Sequence, residues 1–239
     1  HLSLFINKGG GKLSKRDGAK SVLDYLHEGY LPNAVTNFIA FLGWNPKSEK
    51  EIFSIEELIE EFELKNVHTA NPVFDTDKLD WYNGQYIRNL NPEQLLEYCK
   101  PYLPKDENDE YLKKIIILEQ DRLKTFKGIT ELTDFFFSKN LVYDKTIFPW
   151  KKNTPEQTKI YLAEVAIELE KVSVWTKTDL EESLLPWIKD NNYGNGDILW
   201  PLRYALTAKK ASPSPFEVAS ALGKDKTLER LKNAISMLS

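Results

Sequence analysis

The sequence is poor in sulfur: its 239 residues hold one cysteine, Cys99, and one methionine, Met237. A single thiol excludes an internal disulfide and a cysteine-rich zinc site, and fits a reducing, cytoplasmic compartment better than a secreted one. Histidine is scarce too, with three in the chain. His27 and His68 have no second His or Cys at ligand spacing, so no metal site is expected. The longest aliphatic run, Ile115-Ile116-Ile117-Leu118, falls far short of the roughly 20 residues that span a bilayer, which excludes membrane insertion. The chain opens on His1, with neither an initiator methionine nor a basic-then-apolar leader, and is expected to be a piece of a longer protein.

What is present points to a folded chain. Hydrophobic residues make up 41% and aromatics 12%, enough for real cores, and 12 Pro with 11 Gly exclude collagen-like or linker composition. The net charge of −4 hides an uneven distribution. Residues 1–20 and residues 203–239 each carry +4, and the stretch between them carries −12. Two basic ends on an acidic chain permit local contact with a polyanion, because the surface distribution of charge steers binding more than its total does.

The pattern is mainly helical. Leu2, Leu4 and Ile6 alternate as in a short strand, and Gly9-Gly10-Gly11 follows as a loop. Helical stripes then run through Val22, Leu23 and Leu26, and through Ala34, Val35, Phe38, Ile39 and Leu42, the second stopping at Gly43. Ser54 with Glu57 is a capping box that opens an acidic, solvent-facing helix to Phe62. Asp77 to Asn83 begins a helix ending near Leu90. Asn91-Pro92 places an N-cap before a proline at the first helical position, and the same logic recurs at Thr154-Pro155-Glu156-Gln157 and at Ser214-Pro215-Phe216-Glu217. A polar loop between Pro101 and Asp109 precedes a helix carrying Ile115 to Leu123, and Phe135-Phe136-Phe137 reads as helix core. These breaks divide the chain into three units, 1–91, 92–150 and 151–239. Trp81, Tyr82 and Tyr86, at helical spacing, read as core, as do Trp150, Trp175, Trp187 and Trp200, although Trp200 adjoins Pro201-Leu202-Arg203.

One segment suggests chemistry directly. In Asn7-Lys8-Gly9-Gly10-Gly11-Lys12-Leu13-Ser14-Lys15-Arg16 the glycines invite a P-loop reading, but that motif needs Ser or Thr straight after its lysine, and Leu13 follows Lys12. What remains is a mobile loop presenting Lys12, Lys15 and Arg16 around the hydroxyl of Ser14. Such a loop can neutralise charge that builds on a phosphate, or it can be a solvated basic surface.

The order of motifs resembles one family. His1-Leu2-Ser3-Leu4 and Lys12-Leu13-Ser14-Lys15-Arg16-Asp17-Gly18-Ala19 are similar to the KMSKS segment of class I aminoacyl-tRNA synthetases in its glutamyl form. Tyr30-Leu31-Pro32-Asn33-Ala34, Phe41-Leu42-Gly43-Trp44, Phe74-Asp75 and Lys78-Leu79-Asp80-Trp81 resemble the stem-contact region of bacterial glutamyl-tRNA synthetases. Pro201-Leu202-Arg203-Tyr204-Ala205-Leu206-Thr207, Ser212-Pro213, Leu222-Gly223 and Leu228-Glu229-Arg230-Leu231 resemble that family's anticodon-binding domain.

The resemblance implies a mainly α fold: the KMSKS loop with an α(+β) stem-contact domain over 1–91, then two helical-bundle anticodon-binding domains, 92–150 and 151–239. It implies that Lys12, Ser14 and Lys15 bind ATP phosphates during formation of a glutamyl adenylate, with Lys12 and Lys15 catalytic. It further implies that Arg122, Arg203, Ser212 and Pro213 contact the tRNA anticodon. The partners would be glutamate tRNA and, in the full-length enzyme, L-glutamate and ATP with Mg²⁺, the enzyme acting as a monomer. The half carrying the family's HIGH motif would precede His1, so this chain is expected to bind no cofactor and to catalyse nothing alone. A guanidinium fork suits a base edge, and splayed loop bases are what proteins read in RNA. The competing readings are an intramolecular ion pair for Arg203 and pairing with a neighbouring carboxylate for Arg122, which Asp121 flanks. Two departures stand out: Asp17 replaces a histidine frequent in the family, and Ala208 replaces a usual glycine. The rivals are a glutaminyl-type relative, expected to read its anticodon with β-barrels, and a non-enzymatic helical interaction module.

Overall fold

The computed structural model describes residues 3–14 and 20–238. It divides into two compact units, His1–Glu131 and Leu132–Ser239, and the division falls within one helix. Among the described residues the regular structure is helical, and β pairing is limited to isolated bridges.

The first unit holds α1 (Val22–His27), α2 (Pro32–Phe41), α3 (Ile55–Glu61), α4 (Thr76–Arg88), α5 (Pro92–Cys99) and α6 (Asp109–Glu119), and reaches into α7 (Ile129–Phe137). Local chemistry sets its boundaries. Ser21 with Asp24, Ser54 with Glu57 and Asn91 with Gln94 form reciprocal capping boxes, while Asp75 and Asn108 cap α4 and α6 through single side-chain oxygens. Two apolar clusters fill the interior near α2 and α4, one of Tyr25, Tyr30, Val35, Phe38, Leu79 and Tyr82, the other of Trp44, Phe53 and Leu58.

Two buried asparagines replace backbone pairing where loops cross this core. The Asn83 side-chain oxygen accepts from Leu31 N at 2.8 Å and its amide donates to Lys124 O at 2.6 Å, while Asn37 accepts from Phe53 N at 2.8 Å and from the Tyr86 hydroxyl at 2.7 Å. Gly29 has φ +88°, and a Cβ there would lie 2.7 Å from Phe126 N, so only glycine allows that approach.

The second unit holds α8 (Pro155–Glu170), α9 (Lys177–Asp190), α10 (Asn195–Thr207), α11 (Pro215–Leu222) and α12 (Lys224–Met237). Thr154 with Gln157 and Ser214 with Glu217 form capping boxes, each with proline at the first helical position. Phe135, Phe136, Leu162, Val165, Ile198, Leu202 and Leu231 are buried between these helices. Arg230 is buried with them and donates to Leu206 O and Phe135 O, both at 2.5 Å, and to Ser138 O at 3.1 Å. Those carbonyls lie at or beyond the ends of α10 and α7, where no further helical N–H reaches them.

Two expectations change. The alternation at Leu4 and Ile6 does not make a strand: Ile6 pairs singly with Lys12 and with Val73, and Leu4 and Phe5 stay exposed, so the alternation buries no face. Trp81 is 40% exposed while Tyr82 is buried, because Trp81 lies one helical step off the stripe that faces α2.

Candidate nucleic-acid interface

The glycine loop is a closed turn. The Asn7 side-chain oxygen accepts from Gly9 N at 2.9 Å and Gly11 N at 3.0 Å, Gly10 adopts φ +83°, and Leu13 N donates to Phe5 O at 2.9 Å. This arrangement leaves Lys12 exposed, with Ser14 half-buried beside it. Lys8 is spent within the fold, on Asp75 at 2.8 Å and Asp77 at 2.5 Å, which ties the loop to the start of α4. Lys15, with Arg16 and Asp17, lies outside the described residues. Among the described residues no group of three or more His, Cys, Asp or Glu is placed to hold a metal ion.

Arg122 ends a single 3₁₀ turn, Gln120–Arg122, that continues α6. The end of α4 holds this turn. The Gln120 amide donates to Ile87 O and Leu90 O, each at 2.9 Å, and Arg88 donates to Asp121 O at 2.9 Å. The carboxylate beside Arg122 is therefore not the flanking Asp121 but Glu119, one helical turn earlier, which is fully buried. Burial pushes the Glu119 carboxyl up to about 7, against the opposite pull of the Arg122 cation. Arg122 opens on a cleft of about 470 Å³ lined by Asp80, Trp81, Arg88, Asp121 and Lys124. Sequence periodicity misses this surface, because Trp81 reads there as core and no pattern marks Arg88 or Lys124. The cleft's three cations are matched by the carboxylates of Asp77, Asp80 and Asp121, with Lys124 3.7 Å from Asp80, so the half-exposed indole and the guanidinium forks suit a planar base rather than a bare anion.

Arg203 lies on α10. Its guanidinium sits 4.9 Å over the Trp200 ring, whose indole N–H is fixed on Ile147 O at 2.8 Å, and it donates to Lys210 O at 3.0 Å. An aromatic face and a backbone carbonyl therefore position it. The following turn is tight: Ala208 ends α10 in the left-handed region at φ 54°, and the Thr207 hydroxyl donates to Arg203 O and accepts from Lys209 N. The backbone thus keeps a glycine-like conformation at a position where the residue is alanine. Ser212 is half-buried and donates to Pro213 O at 3.0 Å, and Pro213 is buried, so it shapes the turn rather than lining the surface.

Comparison with known proteins supplies the context for these sites. The family model "Anticodon binding domain" matches residues 94–235, and "tRNA synthetases class I (E and Q), catalytic domain" matches residues 1–81. The chain is 42% identical over 231 residues to a glutamate–tRNA ligase of Clostridium botulinum, covering 95% of the chain and 47% of the relative. It is 37% identical over 243 residues to a glutamate–tRNA ligase of Lachnoclostridium phytofermentans, covering 100% and 49%. The crystal structure of a glutamate tRNA ligase from Elizabethkingia meningosepticum in complex with its amino acid superposes with a TM-score of 0.84 at 30% identity, covering all of this chain and 51% of that one. The chain thus spans about half the length of the curated relatives it matches. With the match over residues 94–235 taking in more than half of its length, the chain belongs to the anticodon-binding-domain family, in the form that glutamate–tRNA ligases carry.

Proposed function

We propose that the chain is the tRNA-binding portion of a glutamate–tRNA ligase, a cytoplasmic, monomeric enzyme that joins L-glutamate to glutamate tRNA through an ATP-derived glutamyl adenylate. The family match over 94–235 carries this reading. In it the chain is organised as a loop and stem-contact domain over 1–91 and anticodon-binding domains over 92–150 and 151–239. Lys12 and Lys15 neutralise charge on the ATP phosphates as adenylate forms, and Ser14 shapes the loop between them. ATP enters as substrate with Mg²⁺, which screens its phosphate charge. The Asn7 turn holds the start of the loop in place, so that Lys12 meets a phosphate with little ordering left to do.

Arg122 and Arg203 take the anticodon. Each guanidinium is braced by a fixed partner, Glu119 for the first and the Trp200 ring for the second, which limits the entropy lost when it engages a base. The helices after Asn91 favour this reading over a glutaminyl-type relative with β-barrels. The chain by itself is expected to bind tRNA without charging it. Titration of the chain with glutamate tRNA across salt tests the proposal. With about 6–10 phosphate contacts, affinity is expected to fall about 10³–10⁵-fold between 50 and 200 mM salt. Salt-independent binding, or none, would refute it.

A further inference from the structure

Glu119 belongs to none of the motifs that mark the sequence. Its side chain is fully buried at the end of α6, one carboxylate oxygen pairs with Arg122, and the other, Oε1, has no hydrogen-bond partner. A buried carboxylate with half its acceptor capacity idle is a poor stabilising device, since an apolar residue of similar volume serves a core at least as well. Its geometry is better explained by what it does to Arg122.

The backbone around Arg122 is already fixed. Gln120 and Arg88 fasten the 3₁₀ turn to the end of α4, and Asn83 holds Lys124 O just beyond it. A fixed backbone still leaves a long side chain with torsions of its own to order. Left unbraced, a long side chain would lose rotamer freedom on engaging a base. Glu119 removes that freedom from below while about a third of the arginine side chain remains exposed toward the cleft.

We propose that Glu119 is a positioning residue for Arg122, and that this buried carboxylate sets how sharply the chain distinguishes one single-stranded nucleobase from another in the cleft. The inference rests on the reading of Arg122 as a base-reading residue. It assigns the discrimination to the pair, with Arg122 making the contact and Glu119 supplying its aim.

Two RNA stem–loops test it, one with the glutamate anticodon loop and one with a single anticodon cytosine changed to guanine. Both are titrated at pH 8 against the 239-residue chain and its variants. The parent is expected to prefer the first loop by about tenfold, within the range of one well-formed arginine–base contact. Glu119→Ala and the near-isosteric Glu119→Gln are expected to bring the ratio to within about twofold, with affinity for the second loop little changed. Glu119→Asp, which keeps the charge on a shorter arm, should restore part of the ratio. Arg122→Ala should abolish it, and the Glu119→Ala/Arg122→Ala double variant should be no worse than Arg122→Ala alone, as coupled residues behave. If Arg122→Ala removes the preference while Glu119→Ala and Glu119→Gln keep it, or if those two variants weaken both loops equally, the positioning role is refuted. If Arg122→Ala itself leaves the preference intact, the reading of Arg122 fails instead.

Discussion

Arg230 offers the sharpest test of what holds the second unit together. The residue is 3% exposed, and its guanidinium donates to carbonyls at the end of α10 and around the end of α7, namely Leu206 O, Phe135 O and Ser138 O. Replacing it with methionine keeps the stem's volume and leaves Leu206 O, Phe135 O and Ser138 O without this donor. A buried carbonyl left unpaired costs about 1–3 kcal/mol. Three of them set an upper range of about 3–9 kcal/mol, and relief from burying a cation, itself worth several kcal/mol, offsets part of it. The net expectation for Arg230→Met is a loss of about 3–5 kcal/mol. For a unit of roughly 100 residues, where 1 kcal/mol shifts Tm by about 4 °C, this is a fall of about 12–20 °C. Thermal unfolding followed by far-ultraviolet circular dichroism, with urea unfolding as a second measure, reads the change. Arg230→Lys concentrates its donors on one nitrogen, which cannot fork across two helix ends, and should recover less than half of the loss. A methionine variant within about 1 kcal/mol of the parent would show that desolvation of the guanidinium cancels its bonds, and would refute the bridge as a net stabiliser.

Other expectations follow from single residues. Ala208→Gly should raise Tm by a few degrees, because the left-handed backbone at φ 54° costs an L-residue about 1–2 kcal/mol, more than the roughly 0.5–1 kcal/mol glycine loses in chain entropy; a lower Tm would refute strain at that turn. Glu119 makes stability depend on pH. With its carboxyl raised to about 7, the folded chain keeps between about pH 4.5 and 7 a proton that the unfolded chain releases, so its stabilising contribution is complete at low pH and is lost as pH rises through 7. Relative to Glu119→Gln, the parent should therefore lose about 2–3 kcal/mol between pH 5 and pH 8 in urea unfolding, and parallel curves for the two proteins would contradict this. Arg203→Ala should weaken tRNA binding. An unchanged slope of affinity against salt would mean a base contact and a slope shallower by about one would mean a phosphate contact, while unchanged affinity would remove Arg203 from the interface.

The parts of this fold legible in the sequence are those decided within four residues. Capping boxes at Ser54, Asn91, Thr154 and Ser214 announce their helices because the oxygen and the amide it satisfies lie in the same turn. Between residues 171 and 213 the same reasoning assigns no helix. There α9 and α10 each carry an internal proline, Pro186 and Pro201, which read locally as breaks, and α10 starts at Gly194 with no side-chain cap. Tertiary packing carries both helices through their prolines. The site divides the same way. Arg203 and Lys12 stand in recognisable strings, but the surroundings of Arg122 depend on Gln120 reaching Ile87 O and on Trp81 turning away from the α2 face, contacts between segments roughly 30 or more residues apart in sequence.

Charge, the feature that first suggested a polyanion partner, acts at two scales. The +4 ends coincide in sequence with the Lys12 loop and with the α10–α12 region, where Lys12, Lys210 and Lys232 are exposed to long-range attraction. Arg122 sits in the −12 middle, where net charge would argue against nucleic acid, and there the decisive carboxylate is a buried one. A buried anion contributes almost nothing to steering an RNA from solution, yet at contact distance it fixes the direction of the cation above it. Salt dependence and base discrimination should therefore separate experimentally: removing surface lysines changes the first, and removing Glu119 changes the second. That separation is what a molecule needs if it is to attract any RNA and retain one, because attraction at a distance does not depend on sequence and the contact does.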